Sequence, residues 1–320
     1  MKMTAMMSKT IVTGVAGFIG SQLAQMLLKS GFEVTGIDSF EDYYPTWIKE
    51  RNLLNLKQDH NFKLIHANLL ALDLKPLVQD MDYIFHQAAQ SGVRDSFGHS
   101  FALYVSNNVV ATQKLLEAVK DTRIKKFVFA SSSSVYGNTP FMPVKEDSIL
   151  MPYSPYGVTK MAAEQLVKVY HRNFGVPTVS LRYFTVYGPG QRPDMAFHKF
   201  IKAVLENRKI EVYGDGSQTR DFTFITDIVK ATMLAIHAPD GMVFNIGGGT
   251  RVGLMDVIKT IGEQAGRKVD VVFAPVQKGD VKDTSADVQL AQEVLGYRPE
   301  VTLEEGLKHE LQYIKGLYSL

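Results

Sequence analysis

Tyr156 and Lys160 stand four residues apart, a spacing that puts a phenol and an ammonium on one helix face, one turn apart. An ammonium there stabilises phenolate and lowers the tyrosine pKa, giving a general base that works near neutral pH. Upstream, Gly14, Gly17 and Gly20 lie in the stretch TGVAGFIG, the kind of turn that lets a backbone approach a dinucleotide. Together the two features predict a hydroxyl that loses its proton while its carbon gives up a hydride. Ser131 to Ser134, in VFASSSSVYG, follow an apolar β-rich run. That puts hydroxyls at the carboxyl edge of a parallel sheet, the usual ligand position. Beside Tyr156 and Lys160, one of these serines becomes the hydrogen-bond partner of the reacting oxygen.

These groups need a scaffold, and the chain spells one out. KTIVT over Lys9–Thr13 reads as a strand, Phe18–Lys29 has helical periodicity up to a Ser30-Gly31 stop, and 32–37 reads as the second strand. Further β-rich runs at 62–66, 83–86, 126–130 and 178–183 alternate with helical segments, notably 103–119 and 156–173. Strands alternating with helices predict an α/β fold with a doubly wound parallel Rossmann sheet. After Gly188-Pro189-Gly190 the elements become shorter and mixed. The expected division is an NAD-binding Rossmann domain over 8–187 and a smaller mixed C-terminal substrate domain over 188–320. Some of the later chain returns to the Rossmann domain, and the smaller domain docks on the carboxyl ends of the strands.

Within the glycine turn, Gly14 permits the tight bend, Gly17 lets the backbone reach the pyrophosphate and Gly20 allows close helix–strand packing. The helix N-terminus at Phe18 and Ile19 then faces the phosphates. Asp38, at the end of the second strand, can accept both hydroxyls of the adenosine ribose and would repel a 2′-phosphate. No arginine or lysine lies between Ser39 and Pro45 to hold such a phosphate, so NAD is expected over NADP. Asn68, followed by Leu69, either bonds the adenine or serves a local turn. Ala88 and Ala89 are small enough for the dinucleotide to pass close to the backbone. Asn108 either bonds a backbone carbonyl, orients a catalytic group or is structural.

Composition narrows the partners. The 35 basic and 33 acidic residues of the 320-residue chain leave a formal charge of +2, with no basic stripe for nucleic acid. There is no cysteine, which excludes disulfides, thiol catalysis and cysteine-held metal. The eight histidines show no metal-ligand spacing, and His86 reads as structural. No apolar stretch approaches the roughly 18 residues that cross a bilayer, and MKMTAMMSK lacks the apolar core of a signal peptide. A soluble, cytoplasmic protein is expected, with the first seven residues frayed and Met3, Met6 and Met7 as alternative starts.

At this point the chain resembles the extended short-chain dehydrogenase/reductases, in their nucleotide-sugar epimerase branch, most of all the UDP-glucuronate 4-epimerases. The resemblance runs through TGVAGFIG, Asp38, HQAAQSGVR, SSSSVYG, YGVTK, LRYFTVYGPGQRPDM and VYGDGSQTRDF, nearly the whole length. It implies Ser132 as the catalytic hydroxyl, Tyr156 as acid/base, and Lys160 on the nicotinamide ribose while lowering the tyrosine pKa. Tyr183 and Phe184 would line the nicotinamide. Related dehydratases carry an acid directly after the catalytic hydroxyl, and related decarboxylases a glutamate at the position of Ser134. This chain has Ser133 and Ser134, which points to oxidation at carbon 4 followed by return of the hydride.

The substrate inference rests on the loop after Tyr183. RYFT in place of RYFN, followed by RPDM, resembles enzymes acting on UDP-glucuronate. A carboxylate on carbon 5 could be neutralised by Arg192 through charge-assisted hydrogen bonds, with Thr185, Ser133 and Ser134 fixing its orientation. The competing reading of Arg192 is a surface pair with Asp194. Arg220 resembles the arginine that grips the UDP diphosphate, and Asp280 the acid on the uridine ribose. Arg94 is a further substrate-side residue. The family often has arginine where this chain has Gln277, with Lys278 as a substitute. Thr284 and Ser285 are modest in size where the family limits the sugar's substituents. UDP-glucose and UDP-N-acetylglucosamine therefore remain alternative substrates, ahead of a decarboxylase, a dehydratase and a non-catalytic NAD-sensing module. The resemblance also implies a homodimer through the helices near 103–119 and 156–173.

Overall fold

Period-two alternation in the strands sends side chains to two separate cores. In β1 (Lys9–Thr13), Ile11 faces one core and Val12 the other. In β4 (Tyr83–His86), Ile84 and Phe85 divide the same way. In β5 (Lys126–Ser132), Phe127 and Phe129 oppose Val128 and Ala130. Each such fully buried aromatic or branched side chain is worth about 1.5–3 kcal/mol over leaving it exposed. A sheet buried on both faces must therefore carry helices on both. The computed structural model describes residues 7–320, so six of the seven residues expected to be frayed lie outside the described residues.

With β2 (Glu33–Asp38), β3 (Phe62–His66) and β6 (Thr178–Tyr183), the central sheet has seven parallel strands. Its order is Met242–Ile246, β6, β5, β4, β1, β2, β3. The order reverses between β1 and β4, the switch point where such sheets bind ligands. The seventh strand, Met242–Ile246, pairs with β6, and the helix Ile225–Leu234 packs on the helix Phe18–Lys29. Both come from beyond residue 188. The rest of that stretch includes two two-stranded pieces, a third formed with Val186–Tyr187, and the mutually packed helices Ala196–Leu205, Leu254–Ala265 and Leu303–Tyr318. No helix among the described residues is long and apolar enough to cross a membrane.

Three elements differ from expectation in ways that matter to the site. The second strand runs to Asp38, which pairs with His66, so the carboxylate sits on the sheet edge itself. β5 continues to Ser132 because β6 keeps pairing with it, Ser131 opposite Arg182 and Ser132 opposite Tyr183. The helix expected at 103–119 begins at Phe101 and widens into a π turn over Val105–Val110 before resuming at Ala111. There Thr112 Oγ1 donates to the Asn108 carbonyl at 2.6 Å, a side-chain bond that competes with the helical ladder.

Candidate active site

The carboxyl ends of these strands and the later chain enclose one cavity of about 1120 Å³. Its wall includes Gly14, Gly17, Phe18, Ile19 and Gly20 at one end and Arg94, Arg220 and Asp280 at the other. Between them lie Ser132, Tyr156 and Lys160.

Local sequence explains how the reacting groups are aimed. Ser154 caps the helix Pro155–Phe174 by accepting the Gly157 N–H at 3.1 Å, and Pro155 takes the first helical position. Tyr156 is thereby fixed in the first turn, with Lys160 one turn on. Gly157 is required because a Cβ there would meet the Ser134 carbonyl oxygen at 2.5 Å. That close approach brings the serine turn against the helix start. Ser132 Oγ accepts the Ser134 N–H at 3.1 Å, which holds its hydroxyl in place at the strand end.

The electrostatics depart from the sequence reading in one respect. Burial pushes the Tyr156 phenol up, while a hydrogen bond from Ser132 and the charge of Arg192 pull it back. The net direction is opposite to the lowering expected from Lys160, because burial penalises phenolate more than Ser132 and Arg192 favour it. Lys160 is itself only 3% exposed. Burial drives its ammonium down to about 7, opposed by the Glu164 carboxylate.

The dinucleotide end passes a direct test of fit. The helix Phe18–Lys29 has no side-chain cap at Gly17, and the N–H groups of Phe18, Ile19 and Gly20 find no acceptor among the described residues. Three unsatisfied donors at the cavity wall suit a pyrophosphate. A Cβ on Gly14 would press the Ala88 backbone at 2.8 Å, and one on Gly20 the Gly14 carbonyl oxygen at 2.1 Å. Both glycines thus serve close packing. Gly17 would meet only that same oxygen at 3.1 Å, so its free space faces the cavity.

Asp38 accepts the Ala16 and Phe40 N–H groups at 2.9 and 2.8 Å, an arrangement that locks the carboxylate at the wall. Leu69, Ala88 and Ala89 also line it, as do Tyr183 and Phe184. Asn68 lines the wall but makes a local turn, its Oδ1 accepting the Leu70 N–H at 2.8 Å and its amide donating to Glu41. Asn108 does not line the cavity. Its carboxamide is spent on the Gln90 N–H and carbonyl and on Thr159, so the alternative in which it bonds a backbone carbonyl is the one observed, and its neighbour Asn107 reaches the wall. His86 bonds Thr13 and Thr112 in the core, the structural role expected of it.

Lys49 is a residue the sequence reading passed over. Expecting no cation near Asp38 rested on 39–45, but the helix Thr46–Leu53 folds Lys49 back into the wall. There its Nζ bonds the Glu41 carbonyl and lies 4.8 Å over the Tyr44 ring. Asp38, Glu41 and Asp42 surround it, so the locality stays unfavourable to a 2′-phosphate.

Several of the expected substrate contacts pair with one another. Arg192 is bidentate to Asp194, Nε at 2.9 Å and Nη2 at 2.8 Å, the partner foreseen in the competing reading. The pair is not at the surface, however. Both residues line the cavity, Arg192 stacks over Tyr43, and its Nη1 bonds nothing among the described residues. Thr185, Ser133 and Ser134 line the same cavity. Arg94 bonds Asp280 at 2.7 Å and stacks 4.2 Å over Tyr213. Arg220 gives Nη1 and Nη2 to the carbonyls of Thr219, Val281 and Lys282, stapling that segment to the wall. Gln277, Lys278, Thr284 and Ser285 are not on the wall. Thr284 turns its hydroxyl to the Asp221 N–H.

Known proteins share this whole architecture. The family model for GDP-mannose 4,6 dehydratase matches residues 11–310. An uncharacterized UDP-glucose epimerase of Bacillus subtilis, YtcB, is 45% identical over 97% of this chain and 99% of its own. A UDP-glucuronate 4-epimerase of Thermodesulfobacterium geofontis is 39% identical, over 95% of each. The crystal structure of UDP-glucuronic acid 4-epimerase from Bacillus cereus, in complex with UDP-glucuronic acid and NAD, superposes with a TM-score of 0.95. It is 46% identical, covering 97% of this chain and 100% of that one. On a match spanning nearly all of its length, the chain belongs to the GDP-mannose 4,6 dehydratase family of extended short-chain dehydrogenase/reductases.

Proposed function

We propose that this protein is an NAD-dependent UDP-glucuronate 4-epimerase, interconverting UDP-glucuronate and UDP-galacturonate through a 4-keto sugar. The observation that carries the reading is the convergence of Ser132, Tyr156 and Lys160 with an uncapped, glycine-cradled helix N-terminus on one cavity wall. The Bacillus cereus structure, which holds NAD and UDP-glucuronic acid in the same fold, supports it. NAD, when bound, takes the hydride from carbon 4 and returns it to the opposite face. Tyr156 removes the proton of the 4-hydroxyl and gives it back, with Ser132 bonding the same oxygen and Lys160 supplying the positive charge beside the phenolate. The sugar turns about its diphosphate link between the two transfers. Arg220, Arg94 and Asp280 hold the nucleotide end, where the first two supply positive charge.

The site's acids favour epimerisation over elimination. Ser132 is followed by two hydroxyl residues, Ser133 and Ser134, while Asp194 is tied to Arg192 and Asp280 to Arg94. Neither residue after Ser132 is an acid that could move protons at carbons 5 and 6. Oxidation of glucuronate at carbon 4 creates a β-keto acid, which loses carbon dioxide when its carboxylate bond aligns with the carbonyl π system. Arg192 Nη1, Thr185 and the two serines hold the carboxylate out of that alignment. A neutral hexose is the second reading, because Asp194 already occupies two donors of Arg192 and the Bacillus subtilis relative is named for UDP-glucose. Parallel rate measurements on UDP-glucuronate, UDP-glucose and UDP-N-acetylglucosamine test the choice. Preference for UDP-glucuronate in kcat/KM is expected, and a higher value for either neutral sugar would overturn the substrate assignment.

The same reading includes a homodimer in the cytoplasm. Phe101, Leu103, Val110, Val158, Val169 and Phe174 leave apolar surface exposed on the two helical segments near 101–119 and 155–174, enough to seed a four-helix interface. Light scattering should return twice the chain mass of 35.7 kDa, with Val169→Glu shifting it toward one chain. A wild-type monomer would remove the dimer from the account.

A further inference from the structure

Behind the reacting edge lies a buried charge cluster that the chemistry above does not use. Glu164 follows Lys160 by one helical turn and is fully buried. Its Oε2 accepts the Ser131 hydroxyl at 2.7 Å and Arg182 Nε at 2.9 Å. Its Oε1 accepts Arg182 Nη2 at 2.6 Å and lies 3.0 Å from Lys168 Nζ. Arg182, 1% exposed, passes its remaining nitrogen to Tyr136 Oη at 2.6 Å and the Glu146 carbonyl at 2.9 Å. Tyr136 in turn donates to Asn245. One carboxylate thus ties three elements together: β5 next to Ser132, β6 next to Tyr183, and the helix that carries Tyr156 and Lys160.

Stability alone does not account for such a pair, since well-packed apolar residues replace buried ion pairs at little or no cost. Its surroundings give a better reason. The titratable groups coupled to Lys160 are Glu164, one turn on along its own helix, and His86 on β4. The β5 side presents the uncharged Phe129 ring, 4.6 Å away. His86 is neutral, held between two threonine hydroxyls and pushed by burial down to about 3. Glu164 is therefore the carboxylate that Lys160 faces. We propose that Glu164 is a positioning residue for the reaction, fixing the strand end that carries Ser132 and supplying the negative charge that holds Lys160 as an ammonium.

Lys160 is charged below about 7, with Glu164 holding that value up. Removing the carboxylate moves it lower, so the high-pH limb of activity shifts toward acid. Because the assay rests on the epimerase reading, a substrate-free readout accompanies it: titration of the Lys160 Cε signal in protein made with 13C-lysine. Glu164→Gln should move both the limb and the signal by about one pH unit to the acid side. Ser131→Ala keeps the charge and drops one hydrogen bond, so kcat should fall roughly 2- to 10-fold with the limb unmoved. If Arg182, left without its partner, prevents folding, the double variant E164Q/R182M leaves only the partly exposed Lys168 without its carboxylate and should show the same acid shift. An unshifted Lys160 signal in whichever of these folds would reduce Glu164 to a structural role. Absent turnover in the wild type would instead count against the epimerase reading.

Discussion

Tyr156→Phe is expected to lower kcat on UDP-glucuronate by about 10²- to 10⁴-fold, with NAD still bound and the fold unchanged. The substitution removes one oxygen. The ring keeps its place against Tyr104, edge-on with centroids 6.3 Å apart, and the cap that holds the helix start involves Ser154 and Gly157 rather than the phenol. What disappears is the group that carries the 4-hydroxyl proton. Ser132 cannot replace it, because an unassisted hydroxyl is a far weaker base than a phenolate. Single-turnover rates, with extraction of bound nucleotide, check the prediction. Activity within tenfold of the wild type would assign the proton to another group.

Arg192→Ala should have the second large effect, and it should be selective. Losing a charge-assisted bond to the substrate carboxylate lowers kcat/KM for UDP-glucuronate by roughly 10- to 100-fold. A neutral UDP-hexose has no carboxylate to lose and should change by less than about threefold. The variant leaves Asp194 unpaired on the wall. At present burial favours its neutral acid, and the Arg192 hydrogen bonds and charge overcome this to hold it below its usual range. Its released charge would repel the uronate further. Adding Asp194→Ala to the variant separates the two effects. Equal losses on charged and neutral sugars would mean that Arg192 only holds its own loop.

The parts of this site that could be read in advance were those built by neighbours in sequence. The strand–turn–helix around TGVAGFIG has its bounds, its glycine roles and its phosphate-facing donors written in one short stretch. The same holds for Ser154, Tyr156 and Lys160, which share a helix start. The hidden parts depend on distant segments. Arg94 and Asp280 pair across 186 positions. Arg182 reaches Glu164 only because parallel pairing sets β6 beside β5. Lys49 returns to Asp38 by way of a helix whose direction no local pattern gives. The direction of the Tyr156 shift was also hidden, since spacing reveals a lysine one turn on but not the burial that raises the phenol. The π turn at Val105–Val110, which spends Asn108 on Gln90, leaves no mark in hydrophobic periodicity.

The account stands on oxidation at carbon 4 with return of the same hydride and retention of the carboxylate. Incubating the purified protein with UDP-glucuronate carrying deuterium at carbon 4, and following the products by NMR, reads all three at once. The account predicts UDP-galacturonate with the deuterium still at carbon 4 and no UDP-pentose. A UDP-pentose product, or deuterium exchanged into solvent, would contradict it.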